Sequence, residues 1–457
     1  MNAVGRLLAS APEVLRVLSA SGQLGYGIPR AALEAGIARR PHFIGCDMGS
    51  VDPGPAYLGS GEMATSAAVT RDDLTQVLTA ARALDVPLII GSAGTAGARP
   101  HLDATLAMVR DIAREHGLRF RLASIAADVA ADAVVDALAR GRLAPLGGDL
   151  AATADDIRAC THIVGQMGCE PFDRALSADP DVIVAGRACD TAIYAAIPRR
   201  MGFAMGHAMH MAKIVECTSI CCVPGGRDAM LATLDSRGFE LESMHPQRRA
   251  TPMSVAAHSL YEQADPMRFS EPEGALDVGT ARYLALDERR TRVEGATWED
   301  ASTTTIKLEG SMPIGWRTVL LAASADPRFI EEIRDILVAV EATTRAVVAG
   351  EYQLHPRLYG LDGVLGRAAP GSGAPREVFL LVEVISATQP LGMAVAKTFK
   401  QFLLHHGFPG RLCTGGNLAF PFTPPELVAG PAYRFALHHL MHTDDAQALF
   451  PVTIETV

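Results

Sequence analysis

Two aspartates lie in a glycine-rich segment that directly follows an apolar, strand-like run. Asp47 and Asp52 belong to residues 45–61, where several glycines would let a ligand approach the backbone. Two carboxylates in this position suit proton transfer or the coordination of a metal ion by oxygen ligands. The alternative is structural, because Asp-Pro-Gly-Pro at residues 52–55 is also a turn sequence and Asp47 can cap it. We therefore treat both aspartates as candidate catalytic residues or metal ligands.

Ser92, Gly94 and Thr95 lie in a second glycine-rich segment, residues 91–97, which precedes a helix predicted to begin at Pro100. A strand, a loop and a helix N-terminus in this order expose backbone N–H groups, so the segment predicts a binding site for a phosphate or carboxylate. The glycine spacing differs from GxGxxG and from the phosphate-binding loop that ends in Gly-Lys-Ser/Thr, and no nucleotide cofactor is expected. A tight turn without a ligand is the structural alternative.

Arg187 and Asp190 follow a third apolar run, residues 181–186. An arginine can bind a substrate carboxylate through two parallel hydrogen bonds, and a nearby aspartate can orient the substrate or act as a base. The same two residue types three positions apart also form ordinary surface ion pairs. The functional interpretation assigns substrate binding to Arg187 and catalysis to Asp190.

A predicted helix carries His207, His210 and Lys213. At about 100° per residue, His207, His210 and Cys217 share one face and Lys213 lies at its flank. This pattern suits an acid–base set or, alternatively, zinc ligands, although the spacing matches neither HExxH nor a paired-cysteine site. A divalent metal is therefore possible but its identity stays open. The structural alternative is a buried helix with hydrogen-bonded histidines.

A Gly- and Pro-rich segment, residues 410–427, lies between the last predicted helix and the last predicted strand. Such a segment suits a substrate lid or a contact between domains, and we assign substrate binding to Asn417 within it. Cys413 would need an activating base to act as a nucleophile, and no spacing argument supplies one.

The elements that position these residues are predicted to form an α/β fold. From the start of the chain to about residue 225, apolar runs alternate with helical patterns, which indicates a largely parallel, doubly wound β-α domain over residues 1–245. A closed barrel shares this alternation and is the second choice. Ligands of open parallel sheets bind beyond the carboxyl ends of the strands. The predicted strands are 13–18, 42–47, 87–91, 119–125 and 181–186, and the predicted helices are 30–39, 71–84, 100–116, 130–140 and 170–178.

The second predicted domain covers residues 246–457. It begins with a polar, Pro-containing stretch, which we interpret as an irregular connection with short strands. The patterns that follow have the order β-α-β-β-α-β. That order is typical of a ferredoxin-like α+β domain, in which two helices cover one face of an antiparallel sheet.

Composition excludes several classes of partner. The chain has 457 residues, 49% of them hydrophobic, and a net charge of -10, so neither nucleic acid nor an anionic membrane is an expected partner. Its eight cysteines include no CxxC pair, which favours a reducing compartment. No secretion signal is recognised and no apolar run approaches the roughly 20 residues of a membrane span. We expect a cytoplasmic protein, and the apolar content favours a homo-oligomer.

Several segments together resemble the acyclic terpene utilisation family (AtuA-like), nearly from end to end. The resemblance implies a catabolic bacterial enzyme of acyl-CoA and carboxylic-acid degradation, often accompanied by a small partner protein of about a hundred residues. It supplies no catalytic residues, and Cys413 stands where the family more often has Ala. The segments are LGYGIPRAALEAGIARRPHFIGCDMGSVDPGPAYLGSG, IIGSAGTAGARPHLDATLAMVRDIA, VIVAGRACDTAIYAAIPRRMGF, HMAKIVEC, LYGLDGVLG, PGRLCTGGNLAFPFTPPEL and GPAYRFALHHLMHTDDAQALFPV.

The sequence thus predicts a lyase or hydratase that acts on a branched carboxylic acid or its CoA thioester. The three aspartates would supply acid–base or metal-ligand groups, and a histidine would shuttle a proton. Arg187 and Lys213 would stabilise charge on the carbonyl oxygen, while Ser92 and Thr95 would bind an anionic group. The alternatives are a metal-dependent hydrolase and a non-catalytic subunit that works with the small partner.

Overall fold

The computed structural model describes residues 1–147, 151–261, 264–366, 373, 375–412 and 418–457. Its architecture is mixed α/β with several sheets, one of which contains parallel strands, as the α/β prediction requires. The chain forms two compact units, the first made of Met1–Met312 and Phe435–Val457 and the second of Pro313–Arg434. The boundary predicted between residues 245 and 246 falls inside the first unit.

The described helices and strands are as follows. The helices are α1 (Ala3–Ser10), α2 (Arg30–Ala38), α3 (Pro55–Ser60), α4 (Ala67–Leu84), α5 (Arg99–Glu115), α6 (Ala131–Ala139), α7 (Ala154–Ala159), α8 (Cys169–Ser177), α9 (Asp190–Arg200), α10 (Met205–Val215), α11 (Pro252–Ser259), α12 (Pro327–Val347), α13 (Gln389–His405) and α14 (Ala446–Leu449), with a 3-10 helix at Thr218–Cys221. The strands are β1 (Leu15–Ser21), β2 (Phe43–Asp47), β3 (Leu88–Gly91), β4 (Arg121–Ile125), β5 (Leu143–Pro145), β6 (His162–Gln166), β7 (Val182–Ala185), β8 (Met230–Asp235), β9 (Gly238–Ser243), β10 (Arg268–Glu271), β11 (Gly274–Asp277), β12 (Arg282–Ala285), β13 (Arg290–Glu294), β14 (Thr297–Asp300), β15 (Thr304–Ser324), β16 (Tyr352–Tyr359), β17 (Val378–Ser386), β18 (Glu426–Thr443) and β19 (Val452–Thr456).

The main sheet of the first unit has ten strands in the order β12-β13-β9-β8-β1-β2-β3-β7-β4-β19. Its centre, from β1 to β4, is parallel throughout. These central strands coincide with the apolar runs from which strands were predicted. Antiparallel strands extend both edges, and two of them, β12 and β13, lie in the stretch after residue 245 that is predicted to be an irregular connection with short strands. The sequences of β12 and β13 are more polar and partly exposed, and they lack the continuous apolar character of the central strands.

Two hydrophobic cores cover the two faces of this sheet. Successive residues of one strand point to different cores. In β3, Leu88 and Ile90 belong to the core on one face and Ile89 to the core on the other. The first core contains side chains of α8, α9 and α10, and the second contains side chains of α2, α4 and α5. β3 and β7 are neighbours, yet α5 and α9, the helices that follow them, lie on opposite faces. A crevice opens at the carboxyl ends of such a strand pair.

Helix α9 approaches the sheet closely because two facing positions are glycine. A Cβ on Gly45 of β2 would lie 2.3 Å from the ring of Tyr194, and one on Gly91 of β3 would lie 2.3 Å from Cδ1 of Ile193. The hydroxyl of Tyr194 also hydrogen-bonds Ser19 Oγ at 2.8 Å. This packing fixes the N-terminus of α9, where Asp190 lies, relative to the ends of β2 and β3.

The second unit has its own hydrophobic core, beside an antiparallel group of strands. Residues 316–324 of β15 pair antiparallel with β17, which also pairs antiparallel with β16. Helices α12 and α13 contact each other and share one core with the sheet, through side chains such as Phe329, Phe399 and Val382. Asp326 and Thr388 cap these helices at their N-termini. In chain order the elements from β15 to β18 read β-α-β-β-α-β.

We expect Gly97→Ala to destabilise the fold more than Gly117→Ala. Both glycines have a positive φ, +70° and +62°, so both substitutions force an L-residue into the left-handed region. A Cβ at residue 97 would also lie 2.1 Å from the backbone N of Arg187, whereas one at residue 117 meets nothing within 4 Å. The additional loss in unfolding free energy should be about 1–3 kcal/mol, measured by urea denaturation. Equal losses would contradict the packing of residues 91–97 against the loop of Arg187.

Candidate active site

Loops from three parallel strands meet at the carboxyl edge of the main sheet. Asp47 ends β2, Ser92 follows β3, and Arg187 follows β7. Backbone hydrogen bonds join the loops, from Met48 N to Gly91 O (3.1 Å) and from Ser92 N to Gly186 O (3.0 Å). Because of this convergence, four of the predicted residues, Asp47, Ser92, Arg187 and Asp190, lie together.

Arg187 is buried, with 3% of the side chain exposed, and protein groups surround its guanidinium. Nε and Nη2 donate to the carboxylate of Glu309 in β15, at 2.9 and 3.4 Å. Nη1 faces Ala188 O at 3.2 Å, Ser92 Oγ at 3.4 Å and Gly49 O at 3.5 Å. The side chain predicted to bind a substrate carboxylate therefore already has a carboxylate partner within the chain.

Glu309 and Lys307 were not predicted as site residues. They lie on one face of β15, and Lys307 Nζ contacts Glu309 Oε1 at 2.9 Å. Burial raises the pKa of Glu309, but the charges of Arg187 and Lys307 outweigh it and bring that pKa down to about 2. Burial likewise lowers the pKa of Arg187, and the Glu309 carboxylate more than reverses that effect. Both groups of the ion pair are charged at neutral pH.

Asp47 is buried, with 4% of its surface exposed. Its Oδ2 accepts the N–H of Gly49 at 2.9 Å, and its Oδ1 has no hydrogen-bond partner within the described part of the chain. Burial raises the pKa of Asp47 well above its usual range, the neighbouring carboxyl of Asp190 adds to the rise, and Arg187 opposes it. This environment favours a carboxyl group that keeps its proton.

Asp190 connects Asp47 to a second buried pair. Its side chain is 36% exposed, and its carboxyl lies within hydrogen-bonding reach of Glu216, which follows the last residue of α10. Lys213 Nζ donates to Glu216 Oε1 at 2.7 Å and lies 5.2 Å from the ring centroid of Tyr261. Burial and Asp190 raise the pKa of Glu216, while Lys213 lowers it. A contact between two carboxyl groups requires a proton on one of them, so this pair can share one.

The three-stranded sheet β10-β11-β14 contributes a further carboxyl that we did not predict. Glu271, the last residue of β10, accepts the hydroxyl of Thr191 at 3.0 Å and lies near Asp190. Burial raises the pKa of Glu271 to about 7, and Glu273 and Asp190 contribute. No sequence motif marks this residue. Its position in a short strand of the predicted irregular connection is the feature that could have marked it as a site residue.

The loop at residues 91–97 is strained, and several of its amides donate hydrogen bonds to backbone carbonyls. Ser92 and Thr95 have φ values of +50° and +79°, which are rare for residues with a side chain and cost about 1–3 kcal/mol each. The N–H of Thr95 donates to Ser92 O, and that of Gly97 donates to Ala93 O. Gly94 has a φ of +60°, and the hydroxyl of Thr95 donates to its carbonyl. The N–H of Arg99, at the start of α5, donates to Asp128 Oδ1 at 3.0 Å.

Asp52 and His207 lie apart from these carboxyls. Asp52 is exposed in a turn, and its N–H donates to Ser50 Oγ. His207 is partly buried near Asp235, Glu294 and Arg292. Asn417 lies outside the residues that the structure describes.

His210 is enclosed within the fold. Its Nε2 lies 2.7 Å from Ser259 Oγ and 3.4 Å from the hydroxyl of Tyr283, and its ring packs edge-on against Phe239. Burial lowers the pKa of His210 to about 3, so the imidazole is neutral at physiological pH. Helix α10 thus directs Lys213 towards Asp190 and Glu216, and directs His210 towards a different set of neighbours.

The described residues contain neither a metal-binding cluster nor a membrane-spanning helix. No group of three or more His, Cys, Asp or Glu side chains is arranged to hold a metal ion in that part of the chain. Likewise, no helix there is both long enough and apolar enough to cross a membrane.

Residues 66–239 match the model of a family described as acyclic terpene utilisation family protein AtuA. Over that part of the chain, the match confirms the resemblance found in the sequence. Comparison with curated proteins and with solved structures gives no match.

We expect Glu309→Gln to be strongly destabilising. It removes the ionised partner of a buried guanidinium, which typically costs about 3–5 kcal/mol of unfolding free energy. The matched control is Asp103→Asn, which breaks the exposed Arg99–Asp103 pair and should cost about 0–1 kcal/mol. Chemical denaturation at pH 7 measures both. A loss of less than about 1 kcal/mol in the Glu309 variant would show that Arg187 does not depend on this carboxylate.

Glu271→Gln should change the pH dependence of stability. Between the ordinary pKa of 4.5 and about 7, the folded chain holds the Glu271 proton more tightly than the unfolded chain, so the unfolding free energy falls as pH rises. Glutamine cannot ionise, so the variant should gain stability relative to the parent between pH 5 and pH 8. Urea unfolding at these two pH values measures the gain, with the exposed Glu115→Gln as the control. A difference that is the same at both pH values would contradict the assignment.

Proposed function

We propose that this protein is a catabolic enzyme of lyase or hydratase type that acts on a branched carboxylic acid or its CoA thioester. The observation that carries the proposal is the pair of neighbouring carboxyls with different environments, the buried Asp47 and the partly exposed Asp190. Two carboxyls whose surroundings separate their protonation states can serve as the acid and the base of one reaction. A hydrogen beside a carbonyl is acidic enough for a carboxylate to remove.

In this mechanism Asp190 is the base. Its partial exposure makes it the carboxyl that a substrate can reach, and its place at the first residue of α9 fixes its direction. Asp47 acts as the acid and protonates the departing hydroxyl group. In the reverse direction, the two residues exchange these roles and add water to the double bond.

The charged neighbours have positioning and electrostatic roles. Glu216 can hold the proton that the two carboxyls share, which leaves Asp190 ionised and able to accept a proton from the substrate. Lys213 holds Glu216 through the 2.7 Å ion pair and adds positive charge near the site. Arg187 orients the loops of Asp47 and Ser92, and its positive charge limits the rise of the Asp47 pKa.

The family match supports a role in the use of acyclic terpenes as nutrients, because that is how the family is described. The proposal includes the finer fold assignment, a doubly wound parallel domain followed by a ferredoxin-like domain. The β-α-β-β-α-β order of the elements from β15 to β18 supports the second part of that assignment. A small partner protein, a homo-oligomeric state and a cytoplasmic location belong to the same proposal.

We expect Asp190→Asn to lower kcat/KM about 10²- to 10⁴-fold, because the amide cannot accept the proton. The assay incubates the purified chain with branched 2-enoic acids and their CoA thioesters, and quantifies the hydrated products by mass spectrometry. Asp111→Asn, an exposed aspartate of α5, is the control and should keep the parent activity.

Two outcomes would contradict the proposed function. The first is that the parent chain alone turns over none of these compounds, while the small partner protein alone does turn them over. The second is an Asp190 variant with parent activity on a confirmed substrate.

A further inference from the structure

The positive groups around the candidate site are all engaged by carboxylates of the chain. Within the described residues, Arg187, Lys213 and Lys307 are the cations that face these carboxyls. Arg187 and Lys307 share Glu309, and Lys213 pairs with Glu216. A substrate carboxylate would therefore have to displace an existing partner in order to gain a cation.

The accessible side of the site is acidic. Asp190 and Glu271 are its partly exposed carboxyls. The negative charge of Asp190 raises the pKa of Glu271 and also that of Glu216. A free carboxylate brought beside them would meet like charge in a partly desolvated place, where repulsion is stronger than in water. A neutral group would not experience this repulsion.

Asp47 offers a neutral group a specific partner. The side chain is 4% exposed, and Oδ2 is held by Gly49. Oδ1 makes no hydrogen bond of good geometry among the described residues, although the Ser92 hydroxyl is near enough to lower the pKa of Asp47. An unpartnered buried oxygen of this kind costs free energy unless a ligand or water completes it. A protonated carboxyl can donate to a carbonyl or hydroxyl oxygen.

We propose that the reacting end of the substrate enters this site uncharged, as a thioester, and that a free carboxylate is excluded. This inference rests on the proposed function and narrows its substrate class from two possibilities to one. Three observations carry this inference together. Each cation already has a carboxylate partner, two carboxyls are partly exposed, and Oδ1 of Asp47 has no hydrogen-bond partner of good geometry among the described residues.

The test compares two probes that differ in the charge of one group. They are 3-methylbut-2-enoate and its N-acetylcysteamine thioester, which carries no phosphate and so reports only on the acyl end. Calorimetric titration of the full chain at pH 8, with EDTA present so that no divalent cation shields the carboxyls, gives both affinities. We expect the thioester to bind at least tenfold more tightly than the acid.

A double variant identifies the source of the discrimination. Asp190→Asn with Glu271→Gln removes two negative charges and should reduce the preference for the thioester at least threefold. Asp111→Asn with Glu115→Gln removes the same charge from the exposed face of α5 and should leave the preference unchanged.

Three results would overturn the inference: no binding of the thioester, binding of the acid that is equal or tighter, or an unchanged preference in the double variant. Failure of the proposed function is distinguishable from these results. A parent chain that prefers the thioester but turns over neither probe nor any longer branched thioester would reject the lyase or hydratase assignment and retain the exclusion of free acids.

Discussion

The ion pair between Arg187 and Glu309 is the interaction on which the candidate site depends. A guanidinium with 3% exposure is tolerated only when a carboxylate and further acceptors satisfy it, and Glu309 supplies the carboxylate from β15. The remaining nitrogen, Nη1, reaches acceptors in all three loops, at Gly49, Ser92 and Ala188. The ends of β2, β3 and β7 can therefore converge around one buried charge. Without it, they would bring together backbone carbonyls and carboxyls that repel one another.

The same pair sets the chemistry of the neighbouring carboxyls. Glu309 balances most of the charge of Arg187, so Arg187 only partly offsets the burial of Asp47 and its proximity to Asp190, and the pKa of Asp47 stays raised. An arginine without a carboxylate partner would lower the pKa of Asp47 further. Lys213 has an equivalent relation to Glu216 on the other side of Asp190. Internal pairing of both cations thus permits protonated carboxyls at neutral pH, and it also leaves little attraction for an anionic substrate.

The sequence predicted the parallel centre of the sheet because its strands are buried on both faces and read as continuous apolar runs. The meeting of Asp47, Ser92 and Arg187 followed from the rule that parallel strands present their carboxyl ends at one edge. Glu309 and Glu271 could not be predicted in this way. They lie on antiparallel strands whose alternating polarity resembles that of any exposed strand, and their partners are distant in sequence, 122 positions for Glu309 and 80 for Glu271. Helical periodicity likewise placed His210 on a face without showing that Ser259 and Tyr283 would enclose it.

The family match covers only part of the candidate site. Residues 66–239 contain Ser92, Arg187, Asp190 and the Lys213–Glu216 pair, but not Asp47, Glu271 or Glu309. A buried Arg187 needs a carboxylate, and in this chain that carboxylate comes from outside the matched region. The matched segment is therefore not sufficient as a chemical unit. It supplies the proposed base and two of the cations, Arg187 and Lys213, and the flanking strands supply the counter-charge of Arg187 and the proposed acid. A chain that keeps the matched residues in this arrangement but lacks an equivalent of Glu309 would leave Arg187 free to bind a carboxylate, which is the binding that our proposal excludes for this site.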